Sequence, residues 1–165
     1  MDLNFKKLSK PFDANQVERT SGRVTGKGYD TAGIKYIHIA NRLNELYGPG
    51  CFRTKEVFRT REFTRGQKNR VTFEVIAEIT LSLGKWVEGE WQCCAEVFGI
   101  GCHQSISLGD AHKGASTNGF KKAAAMLGVG MQAWEGTLDD DHVPNDFSLN
   151  EQNPGSLDNT SKSFF

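Results

Sequence analysis

The segment from Val71 to Leu83 constrains the fold more than any other part of the chain, because apolar side chains occupy every second position. Those positions hold Val71, Phe73, Val75, Ala77, Ile79, Leu81 and Leu83. A period of two places them on one face of a β-strand, with mostly polar side chains on the other face. The segment is therefore predicted to be a strand with one buried and one solvated face.

Two neighbouring segments complete a predicted antiparallel sheet. Cys51 to Phe63 precedes the central strand across a polar and basic connection, and Lys85 to Phe98 follows it. Gly84 is expected to form a tight turn between the second and third strands. Because two of these strands are longer than usual, their hairpin is predicted to project beyond the body of the domain.

Two helices flank the predicted strands. Thr31 to Tyr47 has apolar residues near a 3.6 period, with Asp30 as the candidate N-cap and Gly48 as the stop. Ser105 to about Val129 is predicted to pack on the sheet through one face, which holds Ala111, Ala115, Phe120, Ala124 and Leu127. This order of elements predicts an α+β fold, in which a three-stranded antiparallel sheet with a long hairpin packs on helices.

Charge divides the chain into a basic body and an acidic tail. Residues 1–134 carry 19 Lys and Arg against 13 Asp and Glu, whereas residues 135–165 carry one against seven. A hydrophobic content of 38% is enough for the body to build a core. We therefore expect one domain, residues 1–138, followed by a disordered acidic tail, residues 139–165, which aids solubility or binds a basic partner protein.

The remaining composition indicates a soluble, reduced protein. The first ten residues lack the apolar segment of a signal peptide, and no run approaches the roughly 18 apolar residues of a membrane helix, so a cytoplasmic location is expected. The four cysteines do not form a CxxC framework, and we predict buried thiols without a disulfide. A zinc site from Cys102, His103 and His112 is the alternative, but no metal or other cofactor is expected.

Adjacent lysines at the end of the second helix are the first candidate for binding phosphate. Lys121 and Lys122 follow Asn118-Gly119-Phe120, and small residues there would let a nucleic-acid backbone approach closely. Arg23 and Lys27 lie in a glycine-rich stretch that could meet the same backbone. That stretch lacks the spacing of a nucleotide-binding P-loop, so nucleotide hydrolysis is not predicted.

A denser basic cluster lies in and after the first predicted strand, at Arg53, Lys55, Arg59, Arg61, Arg65, Lys68 and Arg70. The first four occupy odd positions, so their side chains emerge on one face of a regular strand. The interleaved Phe52, Phe58 and Phe63 would either stack on bases or belong to the core. The cluster is a candidate DNA-binding stripe or simply a solvated face.

An enzyme is the third hypothesis, as a metal-dependent nuclease. Its candidate ligands are Glu74, Glu78, Glu88, Glu90 and the acids Asp139 to Asp141. Strand alternation explains the glutamates as part of a solvated face, and the aspartates fall in the predicted tail. The chain is therefore not expected to be an enzyme.

Several sequence blocks together resemble one known family. The blocks are Ser21-Gly-Arg23, then Ile37-His-Ile-Ala-Asn-Arg-Leu-Asn-Glu-Leu-Tyr-Gly48, then three predicted strands, and then Ser107 to Lys122. Their order resembles that of the annealing domain of the Rad fifty-two family. The most specific part is Thr117-Asn-Gly-Phe-Lys-Lys-Ala, with Gly128 after it. The chain is similar to these single-strand annealing recombination proteins over residues 15 to 135 and resembles a compact bacterial or phage type.

The resemblance implies a β-β-β-α core that assembles into a homo-oligomeric ring. Single-stranded DNA would lie in a basic groove between a projecting hairpin and the domain body, with Lys121, Lys122 and Arg23 contacting its backbone. The implied function is the annealing of complementary strands in recombination and repair, at the nucleoid or in phage-infected host cytoplasm. A protein that coats single strands or protects DNA ends, without promoting pairing, is the alternative.

Overall fold

The computed structural model describes residues 2–21, 31–65 and 70–134. The predicted acidic tail, Asp30 and the glycine-rich stretch that contains Arg23 and Lys27 lie outside these ranges. The helices are α1 (Phe5–Leu8), α2 (Tyr36–Tyr47) and α3 (Leu108–Met126), and 3₁₀ turns span Ala14–Gln16 and Met131–Ala133. The strands are β1 (Val17–Thr20), β2 (Thr31–Ile34), β3 (Phe52–Arg65), β4 (Arg70–Val87) and β5 (Glu90–Ser105).

The main sheet is three-stranded and antiparallel, in the order β3-β4-β5, and it packs against helices. The predicted α+β class and antiparallel sheet are confirmed. β5 pairs with β4 from the turn at Glu88-Gly89 as far as Phe73, which lies opposite Ser105. β3 and β4 continue beyond that point to the pair Arg65 and Arg70, so this hairpin extends past the edge of β5.

The predicted turn at Gly84 is wrong, because β4 continues through Gly84 to Val87. The sheet has a bulge between Leu83 and Gly84, and the backbone N–H of Gly84 donates to the carbonyl oxygen of Cys51 at 2.9 Å. Glycine in a strand interior often marks such a bulge. The turn lies at Glu88-Gly89, where both residues have positive φ values of 51° and 84°, as a two-residue hairpin turn requires.

The face of the sheet that packs on α3, called here the covered face, contains the main apolar side chains of β4. Val75, Ala77, Ile79, Leu81 and Leu83 are fully buried, as their alternation predicted. Val71 and Phe73 belong to the same alternation, but Val71 is exposed and Phe73 is partly buried. These two residues lie toward the end of β4 where β5 stops.

Glycines on β5 let α3 lie unusually close to the sheet. A Cβ atom at Gly101 would overlap the backbone of Ala115 and Gly119, and one at Gly99 would overlap the backbone of Gly119 and Ala123. Gly119 in turn lies against the side chain of Ile79. The small residues of α3 and β5 therefore set the distance and the position of α3 along the sheet.

The predicted buried face of α3 is confirmed, since Ala111, Ala115, Phe120, Ala124 and Leu127 are all buried. The helix begins at Leu108, after Ser107, whose hydroxyl oxygen accepts from the N–H of Asp110 at 3.3 Å. After the helix, Gly128 and Gly130 have positive φ values of 86° and 76°. Such values favour glycine and end the helix at about the predicted place.

The predicted helix from Thr31 to Tyr47 begins too early. Thr31–Ile34 is the strand β2, which pairs antiparallel with β1, and the helix begins at Tyr36 after Lys35. Ile34 fits a helical period and a strand equally well, so the four-residue pattern does not distinguish them. Pairing with β1 decides the conformation. Gly48, with φ of 89°, ends the helix as predicted.

The prediction of buried thiols holds for one cysteine of four. Cys51 is buried, and its thiol donates to the carbonyl oxygen of Leu43 at 3.3 Å. Cys93, Cys94 and Cys102 lie on β5 and are exposed, and all four thiols are free. Within the described ranges, no helix has the length and apolar character that crossing a bilayer requires.

Candidate nucleic-acid interface

An open groove of about 670 Å³ lies between the β1–β2 hairpin and α3. Glu18, Thr20, Ala32, Gly33 and Ile34 line the hairpin side. The helical side presents Asn118, Lys121 and Lys122, and the chain after α3 contributes Val129, Gly130, Ala133 and Trp134. Ile39 and Cys102 complete the lining. Both predicted lysines of α3 therefore lie in one concave surface.

Helical geometry brings together the polar side chains that α3 presents to the groove. Asn118 lies three and four positions before Lys121 and Lys122, so the three side chains share one stripe of α3. The side-chain amide of Asn118 donates to the carbonyl oxygen of Cys102 at 3.1 Å, which links the stripe to β5. The opposite stripe of the helix is buried on the sheet. The lysines are thus carried by a helix that tight packing holds in place.

Partial burial changes the electrostatics of Lys121. The side chain is half-buried, and loss of solvent lowers the pKa of its ammonium group, while the nearby carboxylate of Glu18 partly opposes this shift. Among the described residues, neither Lys121 nor Lys122 forms an ion pair. An incompletely solvated cation that forms no ion pair among the described residues is well placed to bind an anion such as a phosphate.

Lys122 is more exposed and lies next to an aromatic ring. Its Nζ atom is 5.8 Å from the centre of the Trp134 ring, at the outer limit of a cation–π contact. The segment that carries Trp134 is fixed by Gln132, whose amide oxygen accepts from the N–H of Phe12 at 2.8 Å and whose amide nitrogen donates to the Phe12 carbonyl at 3.1 Å. The groove therefore combines two cations with an exposed indole.

The basic stripe of β3 lies on the other side of the sheet. Register pairs Arg53, Lys55, Arg59 and Arg61 with Ser82, Thr80, Ile76 and Glu74, so all four face away from α3. We call this side of β3, β4 and β5 the open face. The prediction that the four share one face is confirmed. They do not join the groove lysines in a single site.

The stripe is also less positive than its sequence suggests. Arg59 forms an ion pair with Glu78 at 2.7 Å, and Glu74 accepts from the amide of Gln104 at 2.6 Å on the same face. Arg65 and Arg70 are opposite one another in the strand register at the end of the hairpin. Lys68 lies outside the described residues, as do Arg23 and Lys27 in the connection between β1 and β2.

The three phenylalanines of β3 have different surroundings. Phe52 packs against Phe120, with ring centres 5.8 Å apart, and belongs to the periphery of the core. Phe58 contacts the His112 ring at 4.8 Å, and Phe63 lies 5.9 Å from the Arg61 guanidinium. None of these three phenylalanines lines the groove.

The geometry of the described residues gives little support to the zinc site or to the metal site of a nuclease. No group of three His, Cys, Asp or Glu side chains in this part of the chain is close enough together to hold a metal. His112 contacts Thr60 and Phe58, whereas His103 packs against Gly114. The candidate zinc ligands Cys102, His103 and His112 therefore do not form a cluster.

Sequence reasoning missed Asn118 as a positioning residue and Trp134 as a groove residue. Asn118 could have been found from its helical spacing to the lysine pair. Trp134 gave no such signal, because its place in the groove depends on the glycine turns after α3. No protein-family model matches the chain, and no curated protein matches it at a significant level.

Proposed function

We propose that this protein binds single-stranded DNA and promotes annealing of complementary strands, as in homologous recombination and DNA repair. The observation that carries the proposal is the position of Lys121 and Lys122, side by side in an open groove and without an ion pair among the described residues. The sequence resemblance to the Rad fifty-two family supports the same assignment of these two lysines.

In the proposed mechanism, the groove binds the backbone and leaves the base edges free. Ammonium groups bind phosphate oxygens, which fixes the strand without reading its sequence. Because the groove is open, base edges remain available to a complementary strand. Neutralised phosphates also repel an incoming strand less, which lowers the barrier to pairing. No covalent bond is made or broken, so the proposed function is not enzymatic and needs no cofactor.

Arg23 and Lys27 belong to the proposal through their place in the chain. They lie in the connection between β1 and β2, the two strands that form one wall of the groove. Arg23 would add a third backbone contact, as the resemblance implies. The basic residues of β3 would then contact a different stretch of DNA, because the open face and the groove lie on different sides of the sheet.

Self-assembly into a ring is a further part of the proposal, again from the resemblance. Exposed apolar side chains outside the groove, including Ile37, Ile106 and Leu108, supply surface that contacts between copies would bury. A ring would align many grooves along one strand. Sedimentation velocity of the full chain tests this point, with a single large species expected and a monomer contradicting it.

The function is tested by the annealing rate of two labelled complementary oligonucleotides. The full chain is compared with Lys121→Ala plus Lys122→Ala and with a matched control, Lys6→Ala plus Lys7→Ala. Lys6 and Lys7 form another adjacent pair, exposed on α1 and outside the groove lining, so both variants lose the same charge.

We expect the wild type and the control to speed annealing, and the groove variant to bind single strands much more weakly and to lose annealing. If the two double variants lose activity equally, the effect is one of general charge and the groove assignment is wrong. If the wild type binds single strands but slows pairing, it coats strands instead of annealing them. Circular dichroism and sedimentation confirm that all three proteins fold and assemble alike.

A further inference from the structure

We propose that Trp86, Trp91 and Arg53 form a second nucleic-acid contact, a stacking site for an unpaired base. These three residues, called here the stacking cluster, lie on the open face near the β4–β5 turn. The inference rests on the proposed binding of single-stranded DNA, and it adds a base contact to the phosphate contacts of the groove.

The cluster consists of three planar groups in mutual contact. Trp86 and Trp91 lie directly opposite one another in the β4–β5 register, with ring centres 5.8 Å apart and planes at 72°. The guanidinium carbon of Arg53 is 4.3 Å from the centre of the Trp86 ring and 4.6 Å from that of Trp91. Both distances are within the range of a cation–π contact.

The bulge beside the cluster explains why Trp91 has a fixed position. A Cβ atom at Gly84 would lie 2.8 Å from two carbon atoms of the Trp91 ring, so the indole occupies the space that a larger residue would fill. Trp91 is partly buried there and supports both other members. A site held in this way loses little conformational entropy when a ligand binds.

The other two members remain open to a ligand. Trp86 is 57% exposed, an unusual state for the largest apolar side chain, and Arg53 is also exposed. Among the described residues, Arg53 forms no ion pair. The cluster therefore offers an accessible indole and an accessible planar cation, and both types of surface stack on nucleobases.

The surroundings favour a nucleic acid over a protein partner. Along β3, the next residue on the open face is Lys55, which is exposed and forms no ion pair within the described ranges. Across the sheet from Lys55, in the same row, is Phe98, which is 51% exposed. Cations alternating with exposed aromatic rings are typical of surfaces that bind single strands. Glu96 is an acidic neighbour, and its carboxylate accepts from the hydroxyl of Ser82 at 2.9 Å.

The stacking cluster is separate from the groove. Trp91 lies near the start of β5, and the groove residue Cys102 lies near its end. At about 3.3 Å per residue the two positions are roughly 35 Å apart along the strand. A base at the cluster and phosphates in the groove are thus independent contacts, which variants can remove one at a time.

The test compares two labelled probes of equal length, a homothymidine oligonucleotide and an abasic oligonucleotide, so that only the first has bases. Fluorescence anisotropy gives Kd for the full chain, for Trp86→Ala and for Trp86→Phe. Phe5→Ala is the matched control, since Phe5 is an aromatic residue with a similar exposure of 60% outside the groove and the open face. Thermal unfolding and sedimentation check each variant for folding and assembly.

We expect Trp86→Ala to weaken binding of the thymidine probe about tenfold, because stacking contributes that order of affinity per base. Binding of the abasic probe should not change, Trp86→Phe should recover most of the loss, and Phe5→Ala should match the wild type. Equal Kd values for wild type and Trp86→Ala, or an equal loss for both probes, would overturn the stacking site. So would an altered oligomeric state with unchanged affinity, which would make Trp86 a subunit contact.

The binding results distinguish a failure of the stacking site from a failure of the proposed function. If the wild type binds single strands but Trp86→Ala behaves identically, only the stacking site is wrong. If the wild type binds neither probe, the proposed DNA-binding function fails and the stacking site fails with it. If binding and the base preference are present without annealing, the stacking site stands and the annealing proposal is wrong.

Discussion

The two faces of the main sheet are formed by the same three strands, but one face is buried and the other is exposed. On the covered face, glycine and alanine residues let α3 pack directly on β4 and β5, and the β4 side chains from Val75 to Leu83 are fully buried. On the open face, arginine, lysine and tryptophan side chains remain accessible to solvent. The fold is therefore determined mainly on one face, which leaves the other face free to vary in its chemistry.

Packing on the covered face also determines where the groove lysines lie. Lys121 and Lys122 are on the helix that the covered face holds in place, so tight packing on one side of α3 fixes two cations on its other side. By contrast, the basic side chains of β3 are on an edge strand. We expect substitutions on the covered face to alter stability and those on the open face to alter binding.

The largest predicted effect is for Gly101→Ala. Its new methyl group would overlap the backbone of Ala115 and Gly119, and α3 would have to move. We expect the free energy of unfolding to fall by about 3 kcal/mol, measured by urea denaturation. Gly33→Ala is the control, because Gly33 is also in a strand and a methyl group added to it would meet no atom within 4 Å. A similar loss for both would show that the close contact does not matter.

A second prediction compares one apolar residue from each face. Leu81→Ala removes a fully buried side chain from the covered face and should cost about 3 kcal/mol. Phe98→Ala removes a side chain that is half exposed on the open face, and it should cost less than about 1 kcal/mol. Denaturation at several protein concentrations measures both. Equal losses that grow with protein concentration would mean that a second molecule covers the open face.

A third prediction concerns the pH dependence of Lys121. Burial lowers the pKa of its ammonium group in the folded chain, so the charge is lost at a lower pH than in the unfolded chain. As pH rises through this lowered pKa, the affinity for single-stranded DNA should fall. The folded state binds fewer protons there than the unfolded state, so stability should rise with pH over the same window.

Lys121→Met is the comparison for both measurements. Its affinity should be lower than that of the wild type near neutral pH, and its alkaline decrease in affinity and alkaline gain in stability should both be smaller than those of the wild type. Glu18 and Lys122 remain in this variant, so the comparison isolates the side chain of Lys121. If wild type and variant follow identical pH profiles, Lys121 does not bind DNA as its charged form.

The smallest predicted effect is for the ion pair between Arg59 and Glu78 on the open face. The arginine side chain is largely exposed, so water screens the attraction. Arg59→Gln should change the free energy of unfolding by less than about 0.5 kcal/mol. A double-mutant cycle with Glu78→Gln isolates the pair. A coupling above about 1 kcal/mol would mean that water reaches the open face less freely than the exposure of Arg59 indicates.

The sequence predicted the covered face well because its signal is periodic and local. Alternation identified β4, and helical spacing identified the buried residues of α3. It could not reveal how closely the two elements pack, since that depends on Gly99 and Gly101 meeting backbone from a distant part of the chain. The position of Gly84 inside a bulge, instead of a turn, was hidden for the same reason.

The candidate site was predictable only in part. The lysine pair and the four odd-numbered basic residues of β3 were identified from spacing, but their separation onto different sides of the sheet requires the strand register. β2 was missed because it is short and depends on pairing with β1. The stacking cluster combines Arg53 with two tryptophans from other strands, and no local pattern connects them.

The central claim, that the groove lysines bind the phosphates of single-stranded DNA, is tested most directly by the salt dependence of binding. The observed association constant of the full chain is measured against salt concentration and compared with Lys121→Ala plus Lys122→Ala and with Lys6→Ala plus Lys7→Ala. The slope of log K against log salt is negative, and each lost phosphate contact on a single strand makes it less steep by about 0.7. The groove variant should therefore lose about 1.4 from the wild-type slope, whereas the control should keep it. Equal slopes for wild type and groove variant would contradict the account.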